Sequence, residues 1–142
     1  MSVVITRSAD ETRALGREIG AGLRPGDCLA LRGEMGAGKT VLAQGIVAGA
    51  GGGADVRSPT FLLHAVHQGR LPVHHLDLYR LGKEVDLRSF GIDEALLEGA
   101  VLVEWPENTG ASWFTEEIRL EILAPSERRV TVQPAPGRRG PE

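Results

Sequence analysis

A short apolar run, Cys28-Leu29-Ala30-Leu31, leads into Gly33-Glu34-Met35-Gly36-Ala37-Gly38-Lys39-Thr40, after which Val41, Leu42, Ile46 and Val47 recur at helical spacing. Strand, glycine-rich turn and helix in this order constrain the chain more than any other feature. The turn fits the phosphate-binding pattern G-x-x-x-x-G-K-[ST] at every fixed position. Glycines there let backbone N–H groups approach phosphate oxygens, where a Cβ would obstruct them. Lys39 can reach the β- and γ-phosphates as a mobile point charge. Thr40 offers a hydroxyl to Mg²⁺. A helix starting near Lys39 aims its positive end at the same phosphates.

A chain of 142 residues fits one domain with one core. Hydrophobic residues make up 42% and charged residues 25%, ordinary values for a globular protein. A net charge of −3 does not mark a broad nucleic-acid binder. Cys28 is the single cysteine, so no disulfide can close within the chain, and it is expected to be a small core residue. Met1 to Asp10 carries no signal-peptide apolar region, and no apolar run is long enough to cross a bilayer. The expected location is the cytoplasm, away from membranes.

Val3-Val4-Ile5 is a first strand by composition. Ser8-Ala9-Asp10-Glu11 has the S-x-x-E form of a capping box. The helix after it runs to about Leu23, with Leu15, Ile19 and Leu23 on one face, and Arg24-Pro25-Gly26-Asp27 ends it. The helix behind the phosphate loop exits through Gly49 to Gly53. Pro59 holds Ser58 out of helix, so residues 56–61 are extended, and Thr60 is the candidate to sense a γ-phosphate. Ser58 and Thr60 equally well do no more than begin a strand. Leu62–Val66 and Leu71–Leu76 read as strands joined by a hairpin at Gln68-Gly69-Arg70, with Pro72 suited to an edge or a strand start.

Two acids stand at strand ends. Asp77 closes the second of these strands, and Glu104 closes the fully apolar run Val101-Leu102-Val103. Both could meet at one Mg²⁺, and spacing does not say which would bind it directly. His64, His67, His74 and His75 invite a metal reading, but His74 points away from the face shared by His75 and Asp77, and no cysteine pair supports zinc. They are expected to be satisfied or surface histidines. Trp105 either lies near the nucleotide or fills a core gap. Residues 83–99 read as short helices covering the sheet. Ile118, Leu120 and Ile122 alternate with Arg119 and Glu121, and Val130-Thr131-Val132 returns as the partner strand. Residues 1–133 are expected to form the domain, and residues 134–142, with three prolines, a flexible tail.

Taken in order, the phosphate loop, Ser58-Pro59-Thr60-Phe61, His75-Leu76-Asp77-Leu78-Tyr79-Arg80 and Glu104-Trp105-Pro106-Glu107 together resemble the TsaE (YjeE) family of bacterial ATPases over nearly all of residues 3–133. The resemblance implies a small α/β P-loop fold with a mixed central sheet and a C-terminal β-hairpin. It implies ATP and Mg²⁺ as ligands, ATP hydrolysis, and a role with TsaD and TsaB in making N6-threonylcarbamoyladenosine at position 37 of tRNAs that read codons beginning with A. The tRNA would be met indirectly, through that complex. Carried over by position, Gly33, Met35, Gly36, Ala37, Gly38, Lys39, Thr40 and Val41 would cradle the nucleotide. Thr40 and Glu104 would bind the metal, and Asp77 would act at or beside it and organise water. Thr60 would lie on the switch segment and Trp105 beside the active site. Ser8, Ala9 and Arg128 would lie on the adenine side. Glu34 and Met35 depart mildly from the usual loop, and Val66 and His67 stand where family members often carry an acid and a tyrosine.

The expected chemistry is phosphoryl transfer to water, slow in the isolated chain if a partner supplies an arginine or orients the water. Arg57 and Arg80 lie near motifs without an assigned role. A small-molecule kinase would need an arginine-bearing lid, and a GTPase an Asn-Lys-x-Asp motif; neither is present in the sequence. A nucleotide-gated scaffold that binds ATP without hydrolysing it is the rival from another class.

Overall fold

The structure, a computed structural model, describes residues 1–52, 64–79, 86–109 and 113–135. Strands β1 (Ser2–Thr6), β2 (Cys28–Arg32), β3 (His64–His67), β4 (Val73–Asp77), β5 (Ala100–Glu104), β6 (Glu116–Ala124) and β7 (Glu127–Pro134) form one sheet. Its order is β1-β7-β6-β2-β5-β4-β3. β6, β2, β5 and β4 run parallel to one another, while β3 and β7 pair antiparallel with their neighbours. The mixed α/β fold expected from the sequence is the one observed.

Burial explains which runs became central strands. Every residue of β5 is buried, as are the first four of β2. Parallel strands covered on both faces have no polar side to show. Leu29, Leu31 and Leu102 pack on one face with Leu42 and Ile46 of α2 (Lys39–Gly49) and with half-buried Leu15 and Ile19 of α1 (Ala9–Ala21). Cys28, Ala30, Val101 and Val103 pack on the other with Leu87, Ile92 and Ala95, from a 3₁₀ turn at Leu87–Phe90 and from α3 (Ile92–Glu98). Each buried leucine contributes roughly 1.5–3 kcal/mol relative to exposure. Burial pushes the Cys28 thiol up to about 12, with Asp27 adding to the shift, as suits a core residue.

Local chemistry sets the helix ends. Glu11 N donates to Ser8 Oγ at 3.0 Å, so Ser8 caps α1. The Glu11 carboxylate accepts from Arg7 N at 3.0 Å, one residue earlier than a standard capping box would place it. α1 stops at Ala21, and Leu23 is buried just beyond it. The α1–α2 contact is unusually close. Gly16 and Gly20 face the α2 backbone, and Gly45 and Gly49 face the carbonyls of Arg13 and Arg17, with no room for a Cβ at any of them. Both pairs are spaced by four residues, a stripe of contact that the leucine periodicity did not reveal.

The two hairpins form as expected, β3–β4 after Pro72 has placed the start of β4, and β6–β7 around Pro125 and Ser126. Where the tail was expected from residue 134, β7 continues through Pro134, and Ala135 is buried with its N–H donating to Thr115 O at 3.1 Å. Residues 136–142 lie outside the described residues. No helix among those described is long and apolar enough to cross a membrane.

Candidate functional site

The site assembles where the parallel strands end. Directly after β2 the chain enters the glycine loop, in which Gly36 (φ 83°) and Gly38 (φ 103°) take left-handed conformations that favour glycine. Leu42 N then donates to Gly38 O at 2.9 Å and α2 begins at Lys39. The loop therefore sits at the N-terminus of an eleven-residue helix, as the spacing predicts. Thr40 and Val41 occupy its first turn. Met35 is exposed, whereas Ala37 is buried.

The Lys39 ammonium donates to Gly33 O at 2.6 Å and stands 3.7 Å from the centroid of the Trp105 ring. Burial lowers its pKa, while Glu104, Glu107 and Asp77 act in the opposite direction. Trp105 therefore lies at the loop lysine while also packing, partly buried, against the core cluster that holds Val101 and Val103. Its backbone is left-handed (φ 59°, ψ 52°), a conformation that costs a bulky residue about 1–3 kcal/mol. That turn redirects the chain after β5 and brings the ring over Lys39, with the Tyr79 ring tilted against it by 45° at 4.8 Å between centroids.

Asp77 and Glu104 are register partners on adjacent parallel strands, so both side chains rise from one sheet face at the loop end. Glu104 is in turn the partner of Leu31, two residues before Gly33. Burial raises the Asp77 pKa, opposed by the Tyr79 N–H that its Oδ1 accepts at 3.0 Å. Beneath Glu104 lies His75, fully buried, with Nε2 2.6 Å from Glu104 Oε2.

The histidines divide by face as the strand alternation predicts. His64 and His74 bond each other at 2.9 Å on one face. The expectation that all four would be satisfied or superficial fails for the other pair, because His75 Nδ1 and His67 Nε2 are buried without a hydrogen-bond partner among the described residues. The residues fit a magnesium ion better than a transition metal. Thr40, Asp77 and Glu104 supply hard oxygen donors beside a phosphate loop, and Mg²⁺ characteristically takes one or two carboxylates plus substrate phosphates. Among the described residues no group of three or more His, Cys, Asp or Glu is placed to cage a metal.

Beside the loop opens a cleft of about 280 Å³ lined by Ser8, Ala9 and Thr12 of the first helix, Gly36, Ala37, Gly38 and Val41, and Pro125, Ser126 and Arg128 of the last hairpin. The adenine-side residues suggested by sequence thus share one cavity, although Ser8 and Arg128 are 120 positions apart in the chain. The Arg128 guanidinium is committed to backbone. Nε donates to Ala37 O at 3.1 Å, Nη2 to Gly36 O at 3.3 Å and Nη1 to Ala124 O at 2.9 Å. It therefore ties the hairpin tip to the loop. Thr12, Pro125 and Ser126 were not anticipated, and neither was the His75–Glu104 contact. Strand alternation placed His75 on the Asp77 face, but only register brings it to Glu104. Thr60, with Ser58, Arg57 and Arg80, lies outside the described residues.

A family model described as "Threonylcarbamoyl adenosine biosynthesis protein TsaE" matches residues 6–131. This chain belongs to the TsaE family. Its relatives include the tRNA threonylcarbamoyladenosine biosynthesis protein TsaE of Treponema pallidum, 36% identical over 131 residues that cover 90% of this chain and 97% of the relative. The Bacillus subtilis protein of the same name is 39% identical over 130 residues, covering 89% of this chain and 81% of the relative. The crystal structure of Bacillus subtilis YdiB aligns with a TM-score of 0.71 at 28% identity, covering 94% of this chain and 85% of that one. Membership places the chain in tRNA threonylcarbamoyladenosine biosynthesis.

Proposed function

We propose that this TsaE-family chain is a Mg²⁺-dependent ATPase of the cytoplasm, working with TsaD and TsaB in forming N6-threonylcarbamoyladenosine at position 37 of tRNAs that read codons beginning with A. The observation that carries the reading is the convergence of Lys39, the register-paired acids Asp77 and Glu104, and the Ser8–Arg128 cleft on one glycine loop.

In this reading the adenine end occupies the cleft and the phosphates lie along the loop from Gly33 to Val41. Lys39 leaves Gly33 O and the Trp105 face to meet the β- and γ-phosphate charge. Thr40 and Glu104 hold the cation, which supplies charge neutralisation when bound. Asp77, whose proton affinity burial raises, orients a water toward the γ-phosphorus. The P–O bond to ADP breaks as the bond to water forms, and ADP, phosphate and a proton result. Thr60 serves as the γ-phosphate sensor. Arg32, one residue before the loop, is bonded to Glu117 at 2.6 Å, and Arg128 is committed to carbonyls. Among the described residues these two arginines beside the loop are thus engaged, in keeping with a partner-supplied arginine and slow turnover by the chain alone.

Phosphate release from ATP with Mg²⁺, measured for the chain alone and with a TsaB–TsaD pair, tests this. Slow release that rises with the pair and vanishes in Lys39→Ala is the expected result. ATP binding without release in either condition would establish a nucleotide-gated scaffold instead.

A further inference from the structure

Glu104 does not stand alone at its strand end. His75 lies on β4, in register with Leu102 of the neighbouring β5, and on the same sheet face as Glu104 two residues further along. Its ring is completely buried, the Glu104 side chain nearly so, and Nε2 lies 2.6 Å from Oε2. An ionised carboxylate can only accept, so the proton of this bond belongs to Nε2. Among the described residues Nδ1 is buried with no hydrogen-bond partner, so Glu104 is the polar group seen to hold the ring. The His67 ring lies beside it, with centroids 6.4 Å apart.

We propose that His75 is a positioning residue for the cation site, fixing the Glu104 carboxylate by its Oε2 and so limiting it to one coordinating oxygen. This rests on Glu104 being a metal ligand in the function proposed above. The consequence is selectivity. Mg²⁺ wants compact octahedral geometry at about 2.0–2.1 Å and takes carboxylates one oxygen at a time, whereas Ca²⁺ accepts both oxygens at about 2.3–2.6 Å. A carboxylate with one oxygen tied down favours the smaller ion. Partners that orient a ligand in this way typically change metal affinity about 10–100-fold when removed.

Gln and Asn separate the two ring nitrogens. A glutamine amide nitrogen reaches roughly the Nε2 position, while an asparagine amide stops near Nδ1, short of Glu104. ADP affinity of the full chain, measured by calorimetry in EDTA, Mg²⁺ and Ca²⁺, reads the effect without turnover. In His75→Asn the gain in affinity from Mg²⁺ should fall about 10–100-fold, the preference for Mg²⁺ over Ca²⁺ should shrink, and affinity in EDTA should hold. His75→Gln should restore both. A His75→Asn protein with the Mg²⁺ gain and the Mg²⁺/Ca²⁺ preference of the parent would overturn the inference. So would equal losses in His75→Asn and His75→Gln, which would mark the ring as packing only. A parent chain whose ADP affinity ignores Mg²⁺ would instead defeat the metal-site reading on which the inference stands.

Discussion

Asp77 meets two opposing demands. In the proposed function its carboxylate must be charged to serve beside a cation, yet burial raises its pKa above the ordinary 3.8. An acid with a raised folded pKa binds its proton more tightly in the folded chain than in the unfolded one. Its ionisation therefore removes stability as pH climbs from 3.8 through the higher folded value. Asparagine keeps the Oδ1 acceptor for Tyr79 N–H and carries no charge. The ligand-free Asp77→Asn chain should melt above the parent at pH 7, and the gap should close as pH falls toward 4, while phosphate release is lost. A melting series across pH checks this, and a variant less stable than the parent at pH 7 would contradict it. The left-handed Trp105 is a comparable compromise, with strained backbone accepted where it brings a ring to Lys39.

Helices α1 and α2 meet backbone to backbone, and this contact explains how the loop is held. α2 begins in the loop and α1 begins at the cleft, so the spacing between the two helices sets the spacing between the phosphate and adenine sides of the proposed nucleotide site. A Cβ at Gly45 would collide with the Arg13 carbonyl and force the helices apart. Gly45→Ala should cost about 3 kcal/mol, the upper end of overpacking losses, and should weaken nucleotide binding as well. Gly22, at the C-cap of α1, meets nothing closer than Ile19 O at 3.7 Å. Gly22→Ala should be neutral or stabilising by up to about 1 kcal/mol. Denaturant melts of the two variants read the contrast directly. The hairpin β6–β7 acts at the same level, because Arg128 ties its turn to the loop through carbonyl acceptors.

Across the whole molecule, the sheet order brings distant segments to one rim. β2 lies between β5 and β6, so the loop after β2 is flanked by Glu104 on one side and by the last hairpin on the other. Ligands in open α/β sheets bind at such carboxyl ends. The C-terminal strand closes this arrangement, and Ala135 seals the face that holds Cys28, Leu87 and Phe114. Ala135→Asp buries a charge there and should lower the melting temperature by several degrees, whereas a polar change at exposed Pro134 should not. Equal melting temperatures for the two variants would show that the strand end contributes nothing to the core.

The phosphate loop, the strand before it and the helix after it were readable because each is encoded locally. Glycine conformation, apolar run and helical period all fall within about twenty consecutive residues. The strand-end positions of Asp77 and Glu104 were readable for the same reason, as acids closing apolar runs. Their adjacency was not, because pairing register is a relation between strands that are distant in the chain and leaves no periodic trace in either. The same holds for His75 beneath Glu104 and for Arg128 on the loop carbonyls. The glycine stripes of α1 and α2 were present as spacing, but a glycine becomes a contact only when another backbone lies against it. Sequence thus specified the chemical groups and the local turns that aim them, while long-range packing chose which groups meet, because that choice depends on burying both sheet faces at once.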